Sequence, residues 1–427
     1  MSNALSEKDY KISKKMFLVE GMSGTVALNL VNGAFISGFA HLLGASVSLN
    51  GIFGALPILG AMAQFVSPFI FERKQRRKKT VLTLLTICRL SISLAFFLPL
   101  LFGSPLIRLI SFAGLVAIGY MSVNMGIPAI SNWLLNVVGK DSLGSYLGTK
   151  EALSYLALGI FGAFMGVMLD YFKTAGNEAG GYIVNAVVIF LFSIINIASL
   201  VIAREPVSHA NASRIRMRDV FIEPIRNPRF RKVLALNCIW NTGYWIAAPF
   251  FFAYIITGLR LPYIFILGTV FLQNFTRFLT AKRWGRLADK ISFEFVIKIG
   301  YIIMCLSHFL WIFVNASNAY VLVTLNNMIT GTGFGAVQIS MYNIQYSYAP
   351  SKFKTAYLSA NGAIGGGVGF ISTLIGSWMV ASLSVDGTVF GLTFTPLQVV
   401  FLISSFVLGL TALYVHFKLQ QKNVDAG

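Results

Sequence analysis

Charged side chains are scarce inside the long apolar stretches of this chain, so the few that occur there carry the first chemical argument. Glu151 lies a turn or two inside one stretch, next to Lys150, and Arg277 lies at similar depth in another. Sequence neighbours do not face each other on a helix, so Lys150 and Glu151 need other partners. A lone carboxyl group in low dielectric keeps its proton, and a nearby guanidinium favours the ionised form. A carboxylate poised between those environments can take up and release a proton. Three further charges read as peripheral. Glu20 stands near the start of the first apolar stretch, where it stays wet; Arg89 is placed to snorkel; Asp170 is interfacial.

A second set is neutral. Asn29 and Asn32 are spaced i, i+3 on one helical face. Tyr120 and Asn124 follow in a later stretch. Asn237, Trp240, Asn241 and Tyr244 form one stripe, and Gln273, Asn327, Gln338 and Tyr342 add to the set. Aromatic rings stack on the apolar faces of sugars, and amides both donate and accept hydrogen bonds. The same groups suit an amphipathic drug, or simply bridge one helix to another.

A third set is repeated. Phe69-Ile70-Phe71 runs into Glu72-Arg73, and Gly285-Arg286-Leu287-Ala288 runs into Asp289-Lys290. Asn132 is followed fourteen residues on by Tyr146-Leu147, and Asn343 fourteen residues on by Tyr357-Leu358. An acid at a helix end pairs with bases or caps a neighbouring helix N-terminus. Such contacts can hold one arrangement and release in another, so Glu72, Arg73, Asp289 and Lys290 read as a gate. The repetition points to a duplicated membrane protein.

Other chemistries are disfavoured. Cys88, Cys238 and Cys305 lie singly in apolar segments, and the four histidines are scattered, so no metal spacing appears. The glycines Gly362, Gly365, Gly366, Gly367 and Gly369 follow no strand and precede no P-loop lysine. They read as a surface for close helix approach. No nucleophile–base constellation suggests an enzyme, and no cofactor is implied.

The elements that must position these residues are apolar helices. Of 427 residues, 56% are hydrophobic and 11% charged, and mean hydropathy is +0.73. About 20 apolar residues cross a bilayer core, and the pattern predicts about twelve spans. The net charge of +19 sits in short clusters between spans, which disfavours nucleic-acid binding. Basic loops stay in the cytoplasm, which places both termini inside. The expected domains are a tail over 1–16, a six-helix bundle over 17–203, a basic linker over 204–232, a second bundle over 233–418 and a tail over 419–427. The linker reads as a segment lying on anionic headgroups.

Twelve spans, a basic middle loop and acid–base turns after spans two and eight resemble the major facilitator superfamily. Gly285, Asp289 and Lys290 match its turn signature; Pro68 and Glu72 depart from it where Gly and Asp are expected. The resemblance implies an all-α membrane fold of two pseudo-symmetric six-helix bundles that rock about a central site. Helices one, four, seven and ten then line the cavity, and these are the amide-rich spans. It also implies that spans five and eight abut, which would bring Glu151 to Arg277 as a coupling pair. The expected function is secondary transport of a small polar organic solute, sugar-like as the first choice, driven by protons. An exporter of amphipathic compounds and a non-transporting sensor are the alternatives. The expected partners are the solute, protons and the bilayer of the cell membrane, with the protein a monomer.

Overall fold

The computed structural model describes residues 5–71, 74, 76–138, 143–206, 217–350, 354–384, 387–389 and 392–419. Glu72 and Arg73 of the first acid–base turn, and Asp386, lie outside the described residues. The helices in chain order are α1 (Glu7–Asn29), α2 (Ala34–Leu42), α3 (Val47–Gly54), α4 (Leu56–Ala61), α5 (Ser67–Phe71), α6 (Lys78–Ala95), α7 (Pro105–Val138), α8 (Leu143–Thr174) and α9 (Glu178–Ile202). They continue as α10 (Met217–Arg226), α11 (Pro228–Trp245), α12 (Ala248–Ala253), α13 (Tyr263–Lys290), α14 (Phe293–Leu310), α15 (Ala319–Tyr348), α16 (Lys354–Ser382) and α17 (Pro396–Lys418).

Among the described residues, 9 helical stretches are long and apolar enough to cross a membrane. Three further rods, α6, α11 with α12, and α15, complete the twelve that the sequence predicts. These three are the polar ones. Lys78, Lys79 and Arg89 sit in α6, Arg229, Arg231 and Lys232 in α11, and the amides in α15.

Contacts divide the chain into two units: Met1–Ala45 with Leu56–Arg216, and Ser46–Ala55 with Met217–Gly427. In the first unit, α1 opens on a reciprocal cap. Asp9 N donates to Ser6 Oγ and Ser6 N donates to Asp9 Oδ2, both at 3.2 Å. The Ser6 hydroxyl holds the Asp9 carboxyl below the usual aspartate range. The helix then stops at Asn29, and Gly33 takes a φ of 56° before α2. That break orphans backbone carbonyls in an apolar interior, and side chains satisfy them. Tyr120 Oη donates to Leu28 O at 2.9 Å and Asn185 Nδ2 to Leu30 O at 3.0 Å.

A reciprocal clamp ties α6 to α9. Glu205 accepts from the backbone N–H groups of Arg77 and Lys78 at 2.8–3.0 Å, capping α6. Lys78 Nζ donates to Val201 O and Ala203 O at 2.6 Å, capping α9. The first unit's ring cluster is Phe39, Phe96, Phe112 and Tyr182, with Phe39 4.9 Å from each of the other three centroids.

In the second unit, α3 packs on α12 and α16. Gly51 meets the Phe250 ring and Gly54 meets Pro249, so a side chain at either would collide. Ser48 and Ser377 exchange hydroxyl and carbonyl bonds at 2.8–2.9 Å. Asn227 caps α11 by accepting from Arg229 N and Phe230 N at 3.0 and 3.1 Å. The core gathers Val233, Leu236, Ile297, Tyr301, Met304 and Leu408 from α11, α14 and α17. Between α16 and α17, Gly387–Val389 pairs antiparallel with Leu392–Phe394, with Thr388 opposite Thr393.

Candidate functional site

The charges of the first unit converge on one face of α1. Lys150 Nζ, from α8, stands 2.7 Å from Glu20 Oε2, with the two side chains 19% and 13% exposed. Arg89, from α6, is 2% exposed. Its Nε donates to Asn196 Oδ1 at 3.0 Å, and Asn196 Nδ2 donates back to Glu20 O at 2.9 Å. Arg89 Nη1 is buried without an acceptor.

Two glycines one helical turn apart make room for these groups. A Cβ at Gly21 would overlap the Lys150 stem. A Cβ at Gly24 would stand 3.1 Å from Arg89 Nη2 and 3.7 Å from Glu20 Oε1. Gly24 thus opens the space in which Arg89 and Glu20 approach. They form no ion pair within 4.0 Å, whereas Lys150 and Glu20 do. Glu20 thus pairs with Lys150 while Arg89 stands on the same face of α1 without an ion pair to it, in a partly dehydrated site where each unpaired charge costs several kcal/mol.

The second unit solves the same packing problem without charge. Asn237 Nδ2 donates to Asn361 O at 2.8 Å, Asn241 Nδ2 to Asn237 O at 2.8 Å, and Asn361 Nδ2 to Gln345 Oε1 at 2.7 Å. Gly365 of α16 gives these amides their room: a Cβ there would meet the Asn237 amide and stand 2.9 Å from Asn241 Nδ2. On the neighbouring face, Trp240 stacks on Tyr244 with centroids 5.4 Å apart, and packs on Tyr301 at 5.2 Å. His308 Nδ1 and Ser404 Oγ are 2.5 Å apart, and Ser404 donates to Gly243 O. Because that serine proton is committed, the histidine bond needs an Nδ1–H donor.

The structure distributes the sequence-predicted residues unevenly. Asn29 and Asn32 do not share a helical face, because α1 ends between them. Asn29 Nδ2 bonds Thr25 O, and Asn32 is exposed with its Oδ1 on Gly33 N. Tyr120 is spent on the α1 break, and Asn124 accepts from Gln64 Nε2 at 2.9 Å. Asn237, Trp240, Asn241 and Tyr244 do come together, as contacts within the second unit. Asn327 is half-buried with Nδ2 on its own helix at Val323 O, and Gln273 is half-buried. Gln338 is exposed, and Tyr342, 61% exposed, stacks on Tyr346. Asp289 and Lys290 are exposed at the end of α13. Glu151 is exposed in the first unit and Arg277 half-buried in the second.

Two further sequence expectations are corrected. Arg89 does not snorkel: Asn196 and the bare Gly24 hold it in the interior. Glu20 is not simply wet, since it supplies the Lys150 counter-ion. The available signal was the coincidence of Gly21 and Gly24 flanking a carboxylate at i+1 and i+4, with cations in two other apolar stretches. Asn196, buried and bonded to both α1 and α6, carried no signal beyond being an amide in an apolar run.

The family model described as Major Facilitator Superfamily matches residues 16–373. No curated protein matches in sequence. Among solved structures, a mutant of the nucleoside transporter NupG superposes with a TM-score of 0.70 at 13% identity, covering 96% of this chain and 100% of that one. A POT family transporter in complex with 5-aminolevulinic acid gives 0.69 at 12% identity, covering 95% of each chain. The POT family transporter PepTSo gives 0.68 at 12% identity, covering 99% of each. At these identities the likeness is one of fold.

Proposed function

This chain belongs to the Major Facilitator Superfamily, and on that premise we propose that it is a secondary active transporter moving a small polar organic solute by alternating access, coupled to protons. The observation that carries the coupling is the Lys150–Glu20 ion pair beside the buried Arg89. A proton delivered to Glu20 would remove the charge that holds Lys150. That exchange gives a proton a structural consequence, which a coupled carrier requires. The proteins of similar fold include a nucleoside transporter and a POT family transporter in complex with a thioalcohol-conjugated peptide, which supports a polar organic cargo.

The sugar-like choice is weakened by the amides and rings of α11, whose bonds are made to α16 and whose rings pack within the second unit. The basic loops and the segment α10 are taken to face the cytoplasm and anionic lipid, with both termini inside and the protein a monomer. The Glu151–Arg277 pair is kept as the rival coupling site, because both are charged groups on long apolar rods.

The test is a thermal-shift screen of purified protein against sugars, organic acids and lipophilic cations, followed by uptake of the stabilising compound into proteoliposomes. The proposal expects uptake that rises with an imposed pH gradient and loses that dependence in Glu20→Gln. Stabilisation by lipophilic cations alone would favour the exporter of amphipathic compounds. Retained pH dependence in Glu20→Gln, with loss in Glu151→Gln, would move the coupling site to the rival pair.

A further inference from the structure

The second unit carries a surface groove that the transport reading does not use. It runs between α14 and α15, has a volume of about 480 Å³, and is lined by Ile303, Leu306, Phe309, Leu310, Ile329 and Thr332. Beside it, Ser307 Oγ and Thr330 Oγ1 lie 2.6 Å apart and tie the two helices. Thr332 is the one polar residue of the lining, and its polar atoms are committed. Its Oγ1 donates to Met328 O at 3.0 Å, and its carbonyl accepts from Trp284 Nε1 at 3.0 Å. A lining without a free side-chain donor or acceptor gives a polar solute little to bind. On a helix long and apolar enough to cross a membrane, such a groove suits hydrocarbon.

A cation stands at the end of the same stripe. Lys298, Ile302, Leu306 and Leu310 recur at every fourth position and share one face of α14. Ile302 and Leu306 are exposed. Lys298 is half-buried, and its Nζ lies 5.3 Å from the centroid of Phe295, toward the N-terminal end of α14. A lysine leaning that way carries its charge out of hydrocarbon toward the headgroups. A rise of about 1.5 Å per residue sets residues 303–310 about 8–18 Å along the helix from Lys298. One leaflet of the bilayer core is about 15 Å thick. An acyl chain whose headgroup rests at Lys298 therefore reaches the groove. The charge around that headgroup is basic. Residues 282–298 hold five bases, Lys282, Arg283, Arg286, Lys290 and Lys298, against two acids, Asp289 and Glu294.

We propose that this groove holds one acyl chain of an anionic phospholipid whose phosphate pairs with Lys298. The chain covers Leu306, Phe309 and Ile329, and the headgroup meets the basic ends of α13 and α14. Glu294, one turn before Lys298, lowers the net attraction without cancelling it. A second copy of the protein is the rival occupant, and it would place no phosphate at Lys298. The site stands apart from the transport reading, since it needs only that α14 spans a bilayer.

The experiment titrates the purified full chain in detergent with phosphatidylglycerol, phosphatidylcholine and dihexanoyl phosphatidylglycerol. It reads the thermal unfolding midpoint and the oligomeric state. Long-chain phosphatidylglycerol is expected to raise the midpoint at the lowest concentration. Phosphatidylcholine keeps the chains and lacks the net charge; the dihexanoyl lipid keeps the charge and is too short to fill the groove. Each should need more. Lys298→Gln should raise the half-saturating phosphatidylglycerol concentration about fivefold, the weight of one lysine at a charged surface, and narrow its advantage over phosphatidylcholine. Leu306→Trp, at an exposed position, should weaken both long-chain lipids alike. Leu279→Trp, exposed on α13 outside the groove, should change neither.

Equal half-saturation for phosphatidylglycerol and phosphatidylcholine, unchanged in Lys298→Gln, would overturn the proposal. So would a lipid response in Leu306→Trp identical to that of Leu279→Trp. Loss of a dimer in Leu306→Trp, with its lipid response intact, would give the groove to a second copy and overturn it as well. Should a variant not fold, the wild type decides: equal stabilisation by long-chain and dihexanoyl phosphatidylglycerol would contradict an acyl-chain site.

Discussion

The two units place opposite chemistry on matching supports. In the first, α1 meets α6, α8 and α9 through Glu20, Arg89, Lys150 and Asn196. In the second, α11 meets α14, α16 and α17 through rings and amides: Trp240 on Tyr301, Asn237 on Asn361, Gly243 under Leu408. The supports are shared to the level of single bonds. Tyr146 Oη donates to Lys14 O in the first unit, and Tyr357 Oη donates to Glu223 O in the second, each tying a helix to the segment that begins its unit. The two units thus share this bond while the side chains packed beside it differ. The ion pair with its buried guanidinium sits in the first unit, and amides and rings fill the matching place in the second.

The sharpest way to break this contrast is to remove the first unit's carboxylate. Glu20→Leu leaves two cations without an acid and should lose about 3–5 kcal/mol in denaturant unfolding. Lys150→Met should lose less, because Arg89 stands ready to take over Glu20. Equal losses would mean that Arg89 does not share the site. In the second unit the matching test is volume. Trp240→Ala should cost about 3–5 kcal/mol in the same denaturant unfolding.

Smaller changes sharpen the comparison. Gly365→Ala pushes a methyl into the Asn237 amide and should cost about 1–3 kcal/mol. Gly162→Ala, where nothing lies within 4 Å, should be neutral or slightly stabilising in the same melt. The two tyrosines then separate by what their hydroxyls do. Tyr120→Phe strands carbonyls at the α1 break and should cost about 1–2 kcal/mol. Tyr301→Phe removes a buried hydroxyl that has no partner and should cost nothing or stabilise. Last, neutralising the acid–base turns should reduce transport more for Asp289→Asn than for Glu72→Gln, because only the second copy keeps the full Gly–Asp–Lys pattern. Equal loss would show that both turns gate.

The rods were legible because lipid imposes length and composition on each of them separately. Even the three rods too polar for a simple hydropathy test were flagged by their amides or charges. What joins the rods was not legible. Lys150 and Glu20 are 130 positions apart, and Arg89 and Asn196 are 107 apart. Nothing in either local sequence names the other. Arg89 was misjudged because a span at the edge of a bundle still has an inward face. The α11 stripe was visible as a stripe, but periodicity says which residues share a face and not what that face meets. The α1 break left one trace, Gly33, whose positive φ only the structure reveals.

The account turns on Glu20 as the group through which a proton moves the solute. The direct measurement is accumulation in proteoliposomes of the solute found by the thermal screen, with and without an inward proton gradient, for wild type, Glu20→Gln and Glu151→Gln. The account predicts that wild type and Glu151→Gln concentrate the solute only when the gradient is present. Glu20→Gln should exchange solute across the membrane yet never concentrate it, at any pH. Gradient-driven accumulation by Glu20→Gln at the wild-type level would contradict it.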